Sequence, residues 1–162
     1  MFDVNVTIDS KNVQRNFMRY RRSVPKFMGE LIKSTAKAAI GNVIEPRFMP
    51  IDIGRMRAGF YKAANKVGAP YHTIGNSTAI RKGMSEGSVK LTKKEFVAIN
   101  AVPYALDMEK GHKGRKERIR YKLYRFVYAT GPMPGFTRRG VGKAAKKVDS
   151  LAQPLIIKYF VR

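Results

Sequence analysis

Two histidines and one pair of carboxylates are the side chains in this chain that could do chemistry. His72 and His112 could bind a metal or transfer protons, but neither has an acidic neighbour at ligand spacing. Asp107 and Glu109 are two residues apart, so on a helix they point to different faces and could act together only in an extended segment. The sequence has no glycine-rich phosphate loop, nucleophile elbow or HExxH motif. We therefore expect no enzyme, no catalytic residue, no metal and no cofactor; the enzymatic alternative is a hydrolase or nuclease with a metal at one of these four residues.

The charge balance of the chain indicates a binding function instead. The 162 residues include 33 Lys and Arg and 11 Asp and Glu, for a net charge of +22 and a pI near 10.6. So large an excess favours an acidic partner, whether nucleic acid, a membrane surface or an acidic protein, and composition does not choose among them. The chain has no cysteine, no signal-peptide pattern at its start and no apolar run of membrane-spanning length. We expect a soluble protein that is not exported.

A basic and aromatic segment, residues 113–128, is the strongest candidate for nucleic-acid contact. Its cations would neutralise phosphates or dock on an acidic protein, and its aromatic side chains could stack on bases or face the core. The candidate contacts are Lys113, Arg115, Lys116, Arg118, Arg120 and Lys122.

The hydrophobic pattern predicts a single α+β domain spanning residues 1–162. Alternation predicts a strand at 2–8 and a hairpin around Lys93-Lys94. Apolar spacing predicts a basic helix at 11–22, a long amphipathic helix from Pro25 to about residue 45, and a C-terminal helix from about Thr137 that Pro154 kinks or ends. A short helical turn at 102–111 and long loops at about 68–87 and 111–120 complete the prediction. The expected fold is a small, mostly antiparallel sheet packed with the long helix and the C-terminal helix.

The C-terminal helix is expected to bury one apolar face and to leave a basic face in water. The predicted buried positions are Val141, Ala144 or Ala145, Val148, Leu151 and Leu155.

The stretch "MPIDIGRMRAGF", residues 49–60, keeps an isolated acid beside two arginines. Asp52 is a preferred N-cap residue, so we predict that it caps a short helix at about 53–64. If the corner is only an internal cap, Arg55 and Arg57 are solvated.

Three short segments resemble, in matching order, motifs of the tail-completion proteins of long-tailed bacteriophages, the lambdoid tail-component family. "PIDIGRMR" resembles that family's Pro-Val-Asp-Thr-Gly-x-Leu-Arg corner, and "PYALDMEKG" resembles its Tyr-Ala-x-x-x-Glu-x-Gly segment. "GPMPGFTRRGVGKAAKKV" resembles its Pro-x-Phe-x-Arg-Pro-Ala segment at the start of the last helix. Ile53, His112 and Gly140 depart from the pattern, and the segments 68–87 and 111–125 are longer than expected.

The resemblance implies a structural role rather than catalysis. It implies a virion protein, assembled in the host cytoplasm, that completes the tail and joins it to the head at the neck, as a homo-oligomeric ring or partial ring. The implied partners are the tail tube, tail terminator and connector, with contact to DNA in the channel as an open alternative and no membrane. The alternative function is a basic nucleic-acid-binding protein that uses residues 113–128. The interface residues predicted from the motifs are Asp52, Gly54, Arg55, Arg57, Tyr104, Glu109, Phe136, Arg138 and Arg139.

Overall fold

Helices dominate the structure, a computed structural model that describes residues 10–45, 54–103, 105 and 135–161. In chain order the elements are α1 (Ser10–Val43), α2 (Arg55–Ala58), α3 (Tyr61–Val67), α4 (Ser77–Glu86), β1 (Gly87–Leu91), β2 (Phe96–Asn100), α5 (Phe136–Ala145) and α6 (Val148–Phe160). The two strands form an antiparallel sheet, and α5 and α6 both pack along α1. The α+β prediction, with a long helix, a C-terminal helical segment and a small antiparallel sheet, is confirmed. The predicted strand at 2–8, most of the turn at 102–111 and the segment 113–128 lie outside the described residues.

The first two predicted helices are one helix of 34 residues, so the predicted break at Pro25 is wrong. A proline inside a helix removes one backbone hydrogen bond and crowds the preceding turn, which costs about 3 kcal/mol. Side-chain packing across the proline opposes that cost. The ring of Phe160 lies 5.9 Å from that of Tyr20 and 5.3 Å from that of Phe27, and so contacts α1 on both sides of Pro25.

The predicted loop at 68–87 contains a helix, α4. Asn76 supplies its N-cap, because its side-chain oxygen accepts hydrogen bonds from the backbone N–H groups of Thr78 at 2.9 Å and Ala79 at 3.2 Å. The glycine content of this segment suggested a loop, but Gly83 lies buried inside the helix. A side chain at that position would collide with the carbonyl of Arg55, so this glycine permits close packing of α2 on α4.

The predicted hairpin is confirmed, with Gly87 paired to Asn100 and Leu91 paired to Phe96. The Lys93-Lys94 pair is a poor two-residue turn, and the connection is instead a longer loop from Thr92 to Glu95. The Thr92 hydroxyl accepts from the backbone N–H groups of Lys94 at 3.2 Å and Glu95 at 3.0 Å. The threonine side chain thus supplies the turn geometry that the lysines lack.

The single C-terminal helix that the sequence predicted is divided at Lys146-Lys147, between α5 and α6. Pro154 lies inside α6, so the prediction that it ends the helix is wrong. Ala144 is buried as expected, whereas Val141 is 49% exposed. Val141 instead lines an apolar groove of about 600 Å³ between α1, β2 and the start of α6.

The core is built around the C-terminal half of α1. Ala36, Ile40 and Val43 of this helix are buried, and their intervals of four and three residues place them on one face of the helix. The cluster is completed by buried residues that directly follow α1, that lie in or beside α2 and α3, or that follow β2; these are Ile44, Met56, Phe60, Ala63, Ala64, Val67, Ala69, Val102 and Ala105. The first half of α1, by contrast, contributes no buried residue.

Candidate interaction site at the Gly-Arg corner

Residues 54–60, here called the Gly-Arg corner, form a tight bend between the core and α4. The helix α2 begins at Arg55, two residues later than predicted, and Gly54 occupies its N-cap position with a φ of 86°. That left-handed conformation strains any residue with a side chain, so glycine is required here. The predicted helix at 53–64 is two short helices, α2 and α3, with Gly59 and Phe60 between them. Asp52, the predicted cap, lies outside the described residues.

Arg57 lies inside the protein and is not solvated. Its side chain is 2% exposed, and Nη2 donates a hydrogen bond to the backbone carbonyl of Ile44. Ile44 directly follows α1, where the unpaired carbonyls of a helix end attract a positive charge. Burial lowers the pKa of the Arg57 guanidinium, and the nearby Tyr61 acts in the opposite direction. The guanidinium therefore caps the C-terminal end of α1 from within the core.

Two of the three guanidinium nitrogens of Arg57 are buried without a hydrogen-bond partner among the described residues. These atoms are Nε and Nη1. A buried donor left unpaired destabilises a fold by about 1–3 kcal/mol. Arg57 is thus a buried cation with a single hydrogen bond in the part of the chain that the structure describes.

Arg55 is held by an ion pair within the chain. Its Nε donates to Oε2 of Glu86 at 2.8 Å, and its Nη2 donates to Oε1 of the same carboxylate. The hydrogen bonds from Arg55 are the main cause of a lowered pKa for Glu86, and partial burial acts against them. Because both side chains are about one-fifth exposed, this two-point contact ties α2 to the end of α4 at the protein surface.

Asn100 closes the other side of the corner. Its Nδ2 donates to the carbonyl of Met56 at 2.8 Å, and its Oδ1 accepts from the backbone N–H of Val102 at 3.2 Å. A side chain at Gly59 would collide with Asn100, so the bend and the end of β2 fit together only through a glycine. The corner is therefore a packed junction of four elements, α1, α2, α4 and β2.

The described parts of all three motif segments meet at the C-terminal end of α1. Arg57, from the first motif, binds the carbonyl of Ile44, and Ala105, from the second, packs in the same buried cluster. From the third, Gly140 lies directly against Val43, and its carbonyl accepts from Nδ2 of Asn42 at 3.3 Å. The motifs thus come together in space, although they are far apart in sequence.

The remaining predicted site residues divide into exposed and undescribed positions. Arg138 and Arg139 are exposed on α5, so a partner could reach them. The backbone of Phe136 is described, but its side chain is not. The other predicted positions lie outside the described residues; they are Asp52, Tyr104, Glu109, Lys113, Arg115, Lys116, Arg118, Arg120 and Lys122.

The candidate catalytic groups do not form a site within the described residues. The His72 ring is exposed, and its backbone carbonyl accepts a hydrogen bond from the Tyr61 hydroxyl at 3.2 Å. His112, Asp107 and Glu109 lie outside the described residues. Across the described ranges, no group of three or more His, Asp or Glu side chains is arranged to hold a metal ion.

Sequence reasoning missed an exposed apolar face on the first half of α1. Val13, Phe17, Tyr20 and Val24 recur at intervals of four, three and four residues, and they are between 44% and 70% exposed. We call these four residues the apolar stripe. The helical spacing was present in the sequence, but the expected break at Pro25 concealed that the stripe continues the long helix.

No family model, curated protein or solved structure matches this chain. Among the described helices, none is long and apolar enough to cross a membrane.

Proposed function

We propose that this chain is a structural virion protein of a tailed bacteriophage, which completes the tail and joins it to the head by oligomeric docking. The observation that carries the proposal is the apolar stripe of α1. A monomer gains nothing by holding large side chains such as Phe17, 70% exposed, in water on a rigid helix. Contiguous exposed apolar surfaces of this kind commonly mark protein–protein contacts.

The Gly-Arg corner supports the proposal in a different way. Its two arginines are occupied within the chain, and the described parts of the three motifs pack around one helix end. The motif residues therefore stabilise the fold of the subunit, and we assign docking to exposed surfaces elsewhere on it. Those surfaces are the apolar stripe and the exposed face of α5 at Arg138 and Arg139. The proposed role needs no substrate and no cofactor.

Negative-stain electron microscopy of particles made without this protein tests the proposal. Full heads beside unattached tails would support a role at the neck, and normal infectious virions would refute it. Complementation with a Phe17→Asp and Val24→Asp double variant should leave heads and tails unjoined, because two carboxylates would enter an apolar contact. The matched control carries Asn16→Asp and Ser23→Asp, which add the same charge to the same helix beside the stripe. Equal joining by both variants would show that the stripe makes no contact in the virion.

The solution state of the purified protein gives a second readout of docking. Light scattering after size-exclusion chromatography should show an oligomer for the wild type and for the control variant. The Phe17→Asp and Val24→Asp variant should be smaller, while circular dichroism shows unchanged helix content. A wild type that is monomeric at all concentrations would contradict self-association through this face.

The alternative of a nucleic-acid-binding protein that uses residues 113–128 stays a prediction, because that segment lies outside the described residues. A DNA affinity that falls steeply with salt, and that disappears when Lys113, Arg115, Lys116 and Arg118 are replaced by glutamine, would favour it.

A further inference from the structure

The side of α1 opposite the apolar stripe carries a straight row of cations. Arg15, Arg19, Arg22 and Lys26 follow one another at intervals of four, three and four residues. At about 100° per residue, these intervals place all four within a wedge of roughly 60°. At about 1.5 Å per residue, the row is about 17 Å long. We call these four residues the basic stripe.

The charges of the basic stripe are not compensated within the described protein. All four side chains are exposed, and none makes an ion pair with a described residue. The sequence from residue 10 to residue 29 contains no Asp or Glu, and the first acid of the helix, Glu30, is engaged by Lys158. Four cations held on one rigid face repel one another, so the arrangement favours a negatively charged partner.

The regular spacing of the stripe favours a partner with evenly spaced charges, such as DNA, over an acidic protein surface with irregularly placed charges. A straight row of about 17 Å, with a cation about every 4.5 to 6 Å, spans a length of duplex that carries about ten phosphates on its two strands, at one charge per about 1.7 Å of axis. Three of the four residues are arginines, whose planar guanidinium groups bind phosphate oxygens through two hydrogen bonds. The stripe is also about 160° around the helix from the apolar stripe, so a protein contact on one side leaves the other open.

We propose that the basic stripe binds the phosphate backbone of duplex DNA without reading its sequence. This inference deepens the proposed function, on which it rests for its setting, since it names the surface that meets DNA at the neck. It moves the DNA contact from residues 113–128 to the first half of α1.

Fluorescence anisotropy with a labelled duplex of arbitrary sequence tests the proposal on the purified full chain. Removing one cation that neutralises a phosphate makes the slope of log affinity against log salt less negative by about 0.9. A variant with glutamine at all four stripe positions should therefore flatten the slope by about 3.6. Between about 50 and 200 mM salt, the affinity of the wild type should fall about 150-fold more than that of the variant. Glutamine favours helix, so helix content should be unchanged by circular dichroism.

The matched control replaces four other exposed lysines by glutamine. Lys62 and Lys66 of α3 and Lys146 and Lys147 between α5 and α6 remove the same total charge from other surfaces. This control should flatten the slope by less than about one unit, since diffuse charge makes no fixed phosphate contact. Equal slopes for the stripe variant and the control would overturn the proposal. So would a wild type that does not bind duplex at low salt.

Two further outcomes would also overturn the proposal, because they would assign DNA binding to another segment or the basic stripe to another partner. In the first, glutamine at Lys113, Arg115, Lys116 and Arg118 abolishes duplex binding while the stripe variant binds as the wild type does. In the second, the stripe variant no longer binds polyglutamate or phosphatidylserine vesicles but keeps its affinity for duplex. The neck assignment is decided separately by microscopy of particles lacking the protein, so its failure and that of the stripe are distinguishable.

Discussion

Replacing Arg57 by methionine tests whether its guanidinium is a buried cation with only one hydrogen bond. Methionine keeps most of the side-chain length but removes the charge and all its donors. Loss of the hydrogen bond to the Ile44 carbonyl, which is left unpaired, should cost about 2–3 kcal/mol. Removal of Nε and Nη1, two buried donor atoms that have no partner among the described residues, should return about 2–6 kcal/mol. The stability of the Arg57→Met variant should therefore lie between about 1 kcal/mol below and about 4 kcal/mol above that of the wild type.

An Arg57→Ala variant separates the effect of charge from the effect of packing. Alanine removes the same donors but leaves a cavity, and truncation of a buried methionine-sized side chain costs about 2–5 kcal/mol. The free energy of unfolding, extrapolated from urea titrations followed by circular dichroism, should place methionine between about 1 kcal/mol below and about 4 kcal/mol above arginine, and alanine below methionine by about 2–5 kcal/mol. Destabilisation of the Arg57→Met variant by more than about 1 kcal/mol would refute the reasoning, because it would mean that the guanidinium makes further hydrogen bonds in solution.

Three further predictions test how α1 and α4 are fixed. The pKa of Glu30 is lowered, first by the hydrogen bond from the Tyr159 hydroxyl (2.6 Å) and then by that from a neighbouring lysine. A carboxyl whose folded pKa is lowered contributes stability above its unfolded pKa and loses that contribution as pH falls through the folded pKa. The protection factors of the α6 amides, which compare each exchange rate with the intrinsic rate at the same pH, should therefore decrease over that range, and Glu30→Gln should remove this decrease. Gly140→Ala should destabilise the protein in urea titrations, because the new methyl group would collide with α1. Gly142→Ala, in the same helix with open space around it, should stabilise the protein by about 0.5–1 kcal/mol. Equal effects of the two substitutions would contradict the packing of α5 on α1. Asn76→Ala should cost about 1 kcal/mol through loss of the α4 cap, and Asn76→Asp should retain most of that stability.

The local sequence pattern is sufficient to predict an element that makes its own backbone hydrogen bonds and buries one periodic face. The C-terminal half of α1 and the two strands were predictable for this reason, since Ala36, Ile40 and Val43 repeat at helical spacing and the strands alternate. The helix α4 carried a usable signal as well. Asn76 stands at a cap position, and Ile80 and Met84 follow one helical turn apart, but the glycine content outweighed them in the prediction.

The features that could not be predicted from the sequence depend on contacts between residues far apart in the chain. Pro25 remains helical because Phe160, far along the chain, packs across it, and no local rule contains that contact. In the sequence, three glycines look like loop residues: Gly59, Gly83 and Gly140. Each lies where another element approaches too closely for a side chain. The burial of Arg57 is likewise invisible in sequence, because an arginine two residues from another usually indicates a solvated turn.

The placement of the motifs changes where binding should be sought. Arg57 caps the end of a helix from inside the core, and Gly140 allows a neighbouring backbone to approach closely. The fold itself requires these residue types, whatever the function of the protein. These positions therefore say more about how the subunit folds than about which partner it binds. Exposed residues that a partner could meet lie on α1, where one side of a single helix is apolar and the other is basic, and at Arg138 and Arg139 of α5. If the two stripes act together, a subunit held to its neighbours by Phe17 and Val24 presents Arg19 and Arg22 outward. A ring of such subunits would then line its inner or outer wall with cations, and the salt dependence of DNA binding should steepen when the protein is oligomeric.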